Sequence, residues 1–381
     1  GVMFYTVNGM GLNNGDGWKV DPSLFGTNTK TSGVADRPDA TYLGQAYVQA
    51  AIGNTTVKIG RQELNTPLAG ADDVRTLPNL FEAAIVINKD LPNTTVIAGH
   101  VTAESAGSFM NGYYPNTSHA LSTLGLQSGY GMGGSTGKYV SMSKIALTSF
   151  GFDGSDANKV LATGNVSNSG VSVLALINNS ISGLTVQLWD YYAWDIINAI
   201  YAQADYKFKL MFDMTASYQF WNENGIGDKM AGNVKSTLNA VKLAVVPVKG
   251  SNVYGAISKT EQEKGARLNG GMITPWGGSP GFVQGTVTRL GYTAGTTAWK
   301  VGGSYDIMPN LNAHVSYAQF NPSANAQYST VMHKAGETDF DITYKPGMVK
   351  NLELKLRGIY SKDFVPNQDF NEYRVIANYN F

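Results

Sequence analysis

The sequence predicts an all-β fold, a transmembrane up-and-down antiparallel β-barrel. Three observations carry this. Apolar and polar residues alternate with period two over runs of about ten residues, the length a tilted strand needs to cross a bilayer core. The connections between runs are alternately short and long. The composition joins a low charged fraction, 15%, to 43% hydrophobic residues over 381 positions. That balance is unusual for a soluble enzyme of this size and suits a protein whose solvent is partly lipid.

Composition also narrows the function. Lys and Arg total 28 and so do Asp and Glu, a formal charge of zero. A nucleic-acid binder needs a basic excess to displace phosphate counterions. With no cysteine, disulfides, thiolate catalysis and zinc-finger-type sites are excluded. No stretch reaches the roughly 18 consecutive apolar residues of a membrane-spanning helix. The N-terminus, Gly1-Val2-Met3-Phe4-Tyr5, lacks the basic region and long apolar core of a signal peptide, so an exported chain would be a mature or trimmed form. With no linker or composition shift, residues 1–381 read as one domain.

Along the chain, Leu210, Phe212, Met214, Ala216, Tyr218 and Phe220 alternate with Met211, Asp213, Thr215, Ser217 and Gln219. Trp299, Val301, Gly303, Tyr305 and Ile307 alternate with Lys300, Gly302, Ser304 and Asp306. Leu311, Ala313, Val315 and Tyr317 follow the same rule, as do Phe340, Ile342 and Tyr344. Leu352, Leu354, Leu356 and Tyr360 oppose Glu353, Lys355, Arg357 and Ser361, with Ile359 the one misfit. Tyr373, Val375, Ala377, Tyr379 and Phe381 share the last apolar face. Such alternation puts successive side chains on opposite faces of a strand. Short turns fall at Gly53-Asn54-Thr55, Leu91-Pro92-Asn93, Lys249-Gly250-Ser251 and Met308-Pro309-Asn310, and long polar stretches at 9–40, 104–138, 222–236, 261–284 and 321–336. The count is about sixteen strands. In lipid the apolar faces point outward, the polar faces line a wet lumen, and tyrosines near strand ends form an interfacial girdle.

Several residues are candidates for a site. Asp72, Asp73 and Arg75 form either a solvated turn, since Asp favours turns, or a loop folded into the lumen, where charged side chains decide which ions pass. Arg61, Glu63, Glu82, Lys355, Arg357 and Arg374 fall mostly on polar faces. The segment Gly131-Met132-Gly133-Gly134-Ser135-Thr136-Gly137-Lys138-Tyr139 fails as a phosphate loop, because Met132 replaces the first glycine and Tyr139 the Ser/Thr. His100, His119, His314 and His333 lack metal-type spacing. His314 reads as a lumen-lining residue, and no nucleophile, base and orienting group converge in the sequence.

From Val57 through Gly60-Arg61-Gln62-Glu63-Leu64-Asn65-Thr66 to Pro67, and again from Asp72 to Ala83, the chain resembles the OprD family of outer-membrane porins. It is also similar to the campylobacter-type major outer membrane porin. Residues 338–381 share the resemblance, and the terminal Phe381 looks like a barrel-assembly signal. The resemblance implies eighteen strands, a homotrimer, and a setting of lipid and lipopolysaccharide in a Gram-negative outer membrane. Against sixteen counted strands, it implies an upstream hairpin lost from this chain or not included in it; a true sixteen-stranded barrel is the alternative. It tips Asp72, Asp73 and Arg75 toward the pore constriction. It reads Arg61, Glu63, Glu82, Lys355, Arg357 and Arg374 as a basic track with acidic counterparts, the other reading being lumen salt bridges that stiffen the wall. No cofactor is expected, save a Ca²⁺ at Asp72 and Asp73 that the campylobacter-type likeness alone suggests.

The expected function is a porin, a water-filled channel for passive diffusion of ions and small hydrophilic solutes, and not an enzyme. The alternatives are a barrel-type adhesin or structural surface protein and, further off, a barrel-embedded hydrolase. Balanced charge, with Asp339, Asp341 and Glu353 close to Lys355 and Arg357, predicts weak ion selectivity.

Overall fold

The computed structural model describes residues 1–7, 40–71, 77–105, 107, 139–150, 169–323, 334–365 and 367–380. The first strands are β1 (Val2–Val7), β2 (Ala40–Ile52), β3 (Thr55–Gln62), β4 (Leu80–Asn88), β5 (Thr94–Ser105) and the two-residue β6 (Val140–Ser141), which leads into helix α1 (Met142–Ser149). Then come β7 (Val171–Asn178), β8 (Leu184–Ala193), β9 (Ile197–Lys209), β10 (Asp213–Gly225), β11 (Lys235–Val246) and β12 (Ser251–Thr260). The last are β13 (Thr297–Met308), β14 (Leu311–Asn321), β15 (Ala335–Tyr344), β16 (Leu352–Val365) and β17 (Gln368–Tyr379).

Among the described residues all 17 strands belong to one sheet. Each long strand pairs antiparallel with the next in sequence, and β6 is a side branch on β5, which pairs directly with β7. Setting aside the two-residue β6, the 17 strands leave sixteen long ones, as the periodicity predicts. The eighteen that the resemblance implies are not found among the described residues. One physical reason is visible at β6: after two bridges to Ala103 and Glu104 the chain leaves the wall as α1.

The pairing register turns the alternation into two faces, because residues directly opposite each other share a side. Val48, opposite Ile59, is 76% exposed, and Val375, opposite Leu356, is 87% exposed. Trp299, Val301, Tyr305, Ile342, Leu354 and Tyr373 are exposed in the same way. An exposed apolar band around a whole sheet has no stable place in water and is what hydrocarbon requires. Tyr206, Tyr305, Tyr344 and Tyr379 stand at the short-turn end of this face, and Trp194, Trp299, Tyr317 and Tyr360 toward the long-loop end. These are the two aromatic girdles.

The predicted strand positions hold with local shifts. Residues 210–212 are a turn, so the alternation of that run starts one hairpin early, while β10 continues to Gly225. Ile359, the misfit in its run, lies on the lumen face and is buried. The largest correction concerns residues 261–296 between β12 and β13. The first part of the segment, 261–284, read as a long polar stretch, carries buried Met272, Ile273 and Trp276, and beyond it Leu290 and Tyr292 are buried as well. The segment touches side chains from β8, β10, β11, β12, β13 and β15. One segment can meet all of them only if the sheet curls around it.

A closed apolar-out sheet resists detergent until heated. Unheated and boiled samples are expected to migrate differently on a gel, and identical migration contradicts the barrel. Val301→Arg, at mid-strand on the outer face, should cost roughly 2–4 kcal/mol. Asn252→Arg, on the lumen face, should leave unfolding unchanged within about 0.5 kcal/mol. Equal cost at the two positions, measured by denaturant unfolding in micelles, would show that the faces are assigned wrongly.

Candidate channel constriction

A chain segment inside a barrel brings backbone N–H and C=O groups that must find partners. For residues 261–296 some partners lie within the segment, as Met272 N–H finds the Tyr292 carbonyl at 2.8 Å, and others are side chains of the lumen wall. The carboxylate of Glu337 accepts the N–H groups of Val287 at 3.1 Å and Thr288 at 2.8 Å, and Glu223 accepts that of Ile273 at 3.1 Å. Gln219 donates to the Pro280 carbonyl at 2.7 Å, Ser236 to Gly271 at 2.8 Å and Thr260 to Gly291 at 2.6 Å. Lys259 and Lys300 donate to the Gly295 and Gln284 carbonyls, both at 2.9 Å. A Cβ at Gly285 would collide with the Glu337 carboxylate, so a larger residue there would push that carboxylate off its N–H partners.

Two further inward segments lean on this one. Residues 63–71, which follow β3, reach it through Gly70 N–H to the Trp276 carbonyl at 3.0 Å and Gly278 N–H to the Leu68 carbonyl at 3.3 Å. A Cβ at Gly278 would meet the Pro67 and Leu68 backbone. Helix α1 mixes apolar and polar residues yet is buried: Met142, Ile145, Ala146 and Leu147 are enclosed together with Ser143 and Ser149. Ser141 caps it, its Oγ accepting the Lys144 N–H at 3.1 Å. Trp276 joins the three segments: it is fully buried, stacks on Tyr191 of β8 at 6.3 Å, and donates its indole N–H to the Met142 carbonyl at 3.2 Å. Arg267 closes the other end of α1, donating to the Phe150 carbonyl at 2.8 and 2.5 Å, where a cation also suits the helix dipole.

Between these segments and the wall lies a polar cavity of about 500 Å³, lined by Asn65, Thr66, Gly70, Ser279, Gln284 and Arg357 among others. A second, of about 330 Å³, lies between Lys242, Tyr254, Phe282 and Lys300. The wall facing them is built in cross-strand rows. One row runs Asn252, Ser304, His314, Asp341, Arg357, Arg374 across six strands. The next holds Tyr254, Ser316, Asp339 and Glu372. Arg357 forks onto Asp341 at 2.7 and 2.8 Å, Lys300 lies 3.8 Å from Asp339, and buried Arg374 pairs with Glu372.

The predicted residues therefore divide. Arg357, Arg374 and Lys355 lie on the lumen face of β16 and β17, the first two in one row. Arg61 and Glu82 pair with each other at 2.9 Å near the long-loop end of β3 and β4, with Arg61 over the Tyr139 ring at 4.3 Å. Their register aligns them with outward-facing Ile59 and Ala84, away from the Arg357 row. Desolvation pushes the Tyr139 phenol up to about 12, so it stays neutral and donates to the Gly44 carbonyl at 2.7 Å. Glu63 begins the inward segment and accepts from the Asn65 amide at 3.1 Å. Asp72, Asp73, Arg75 and Phe381 lie outside the described residues, as do His119, His333 and residues 131–138. Among the described residues no group of three or more His, Asp or Glu gathers as a metal site. The sequence reading missed Glu223, Glu337, Gln219 and Trp276. For Glu223 and Glu337, a charged residue near the long-loop end of a lumen face was the available signal, and for Gln219 a mid-strand amide on that face; for Trp276, an apolar cluster inside a polar stretch.

Glu337→Ala removes the acceptor of two buried N–H groups, about 1–3 kcal/mol each. Trp276→Ala opens a cavity worth about 3–5 kcal/mol. Both are expected to loosen residues 261–296 without unfolding the wall, raising single-channel conductance and current noise while heat-modifiable migration persists. Unchanged conductance in both variants contradicts the seating described here.

Comparison with known proteins agrees with this architecture. The family model described as outer membrane porin, OprD family, matches residues 4–113. No curated protein sequence matches significantly. Among solved structures, Pseudomonas aeruginosa OpdK with vanillate superposes at a TM-score of 0.71 and 16% identity, covering 95% of this chain and 84% of that one. Pseudomonas aeruginosa OccK9 (OpdG) gives 0.71 and 18%, covering 95% and 82%. OccK8 (OprE) of the same organism gives 0.66 and 13%, covering 93% and 83%. At such identities the structures speak for the fold alone. The sequence match includes residues 57–83; residues 338–381 lie outside it. The chain is similar to the OprD porins in sequence over its first part and in fold over nearly all of it, and it is an outer-membrane β-barrel channel.

Proposed function

We propose that this channel passes ions and small hydrophilic solutes passively, at a constriction set by residues 261–296 and 63–71, and that it performs no catalysis. The observation that carries this is the polar cavity of about 500 Å³ between two inward segments, with Arg357 of the far wall at its edge. Solute-sized polar space at the narrowest part of a barrel selects by width and lining charge. The vanillate bound to OpdK supports solutes of that size. The homotrimer and contacts with lipopolysaccharide follow from the family resemblance and belong to the same proposal.

The hydrolase alternative has one place to stand, since Ser304, His314 and Asp341 face one another across adjacent strands. The partners argue against it. Asp341 gives both carboxylate oxygens to Arg357, and the His314 Nε2 lies 3.3 Å from the Tyr254 hydroxyl, with the two rings stacked. A triad needs the carboxylate on the histidine and the histidine on the serine. The adhesin alternative predicts a silent lumen and is separated by conductance.

Pairing of Arg357 with Asp341, Lys300 with Asp339 and Arg374 with Glu372 leaves little uncompensated charge on this wall. In planar bilayers under a tenfold salt gradient the reversal potential should lie far below the Nernst limit of about 59 mV. Asp341→Asn uncovers Arg357 beside the cavity and should shift the reversal potential toward anions. A parent channel near the limit, or no shift in the variant, would contradict the charge pairing proposed for the pore.

A further inference from the structure

One sector of the lumen wall is not polar. On β4, β5, β7 and β8 the lumen-facing side chains include Ile85, Ile87, Ile97, Val101, Val173 and Trp189, and the outward face of the same strands is apolar too. Leu64, Leu68 and Ala69 of the inward segment cover part of this sector. They leave a cavity of about 300 Å³ with an apolar floor, the space of roughly ten waters at about 30 Å³ each. Its rim is polar. Lys58 and Gln62 of β3 line it together with Glu63 and Asn65. Lys58 points into the lumen, opposite Gln49 and Ile85 in register, with its Nζ 3.8 Å over the Tyr47 ring. One cation and one anion thus stand at the mouth of a single apolar pocket.

A wet passage has no use for half-buried isoleucines facing its lumen, and a seat for Leu64 and Leu68 needs no open cavity beside it. We propose that this pocket binds a zwitterionic α-amino acid with an apolar side chain. The side chain lies on Ile85, Ile87, Ile97 and Trp189, the carboxylate faces Lys58, and the ammonium faces Glu63. Each charge accounts for one rim residue, and the aliphatic or aromatic body accounts for the floor. This rests on the channel reading and refines it, making the pocket a way-station beside the constriction.

The test adds L-leucine to one side of single channels in planar bilayers and reads current block. Three comparators each lack one feature: glycine the apolar body, 4-methylpentanoate the ammonium and 3-methylbutylamine the carboxylate. Leucine is expected to block at least about tenfold more strongly than any of them, the worth of one charge-assisted contact. Lys58→Gln should erase the difference between leucine and 3-methylbutylamine. Glu63→Gln should erase that between leucine and 4-methylpentanoate. Equal block by all four compounds, or discrimination that survives both substitutions, overturns the proposal while conductance in plain salt still supports the channel. Should the barrel pass no current, the channel reading fails by itself. Binding of isotope-labelled leucine to the detergent-solubilised protein, against the same comparators, then decides the pocket, and absence of preferential binding overturns it.

Discussion

Residues 261–296 carry amide groups into the middle of a membrane barrel, and most of what distinguishes this wall follows from satisfying them. Short 3-10 turns at Arg267–Gly270 and Leu290–Tyr292 and backbone bonds such as Met272 N–H to the Tyr292 carbonyl satisfy part of them, and side chains of the lumen face serve the rest. That is why Glu223 and Glu337 sit buried on the wall with backbone N–H groups pointed at their carboxylates. It is why Gln219, Ser236 and Thr260, ordinary lumen residues by parity, are buried as well. A hydrogen bond made away from water is stronger than the same bond in solvent. An N–H left without a partner inside is among the costlier defects. The wall and the segment therefore specify each other.

From that seating the constriction is assembled outward. Trp276 is held by Tyr191 and by the Met142 carbonyl, which places α1, and the Trp276 carbonyl receives Gly70, which places residues 63–71. The apolar sector on β4, β5, β7 and β8 belongs to the same logic. Where Leu64 and Leu68 press against the wall, lumen-facing Val101, Val173 and Trp189 form a small core. On β10, β11, β14 and β16 lumen-facing Trp221, Leu238, Phe320 and Ile359 are buried too, while polar rows hold charge pairs such as Arg357 with Asp341. The outer face answers to lipid alone and is correspondingly uniform.

The wall was legible in the sequence because its rule is local. Leu354 and Leu356 outward, with Lys355 and Arg357 inward, follow from a period of two and need no knowledge of neighbours. The turns at Gly53-Asn54 and Pro309-Asn310 follow from turn chemistry. The inward segments were not legible, since nothing about Met272, Ile273 or Trp276 states which way a long loop folds. Glu337 and Asp339 show the limit within one strand: parity places both on the lumen face, yet only the loop opposite turns Glu337 into an anchor. Arg61 and Glu82 show another: they are charged, yet the unbroken register of β3 and β4 sets them in line with outward-facing Ile59 and Ala84, near the long-loop end.

The central claim, that residues 261–296 narrow an aqueous lumen, can be tested in a chain that contains no cysteine of its own. Thr286→Cys places one thiol at the edge of the polar cavity. Single-channel current is recorded before and after a bulky charged thiol reagent is added, with labelling confirmed by mass. A stepwise fall in conductance on modification is the predicted result. Complete labelling with unchanged conductance would show that ions pass elsewhere, and would contradict the account.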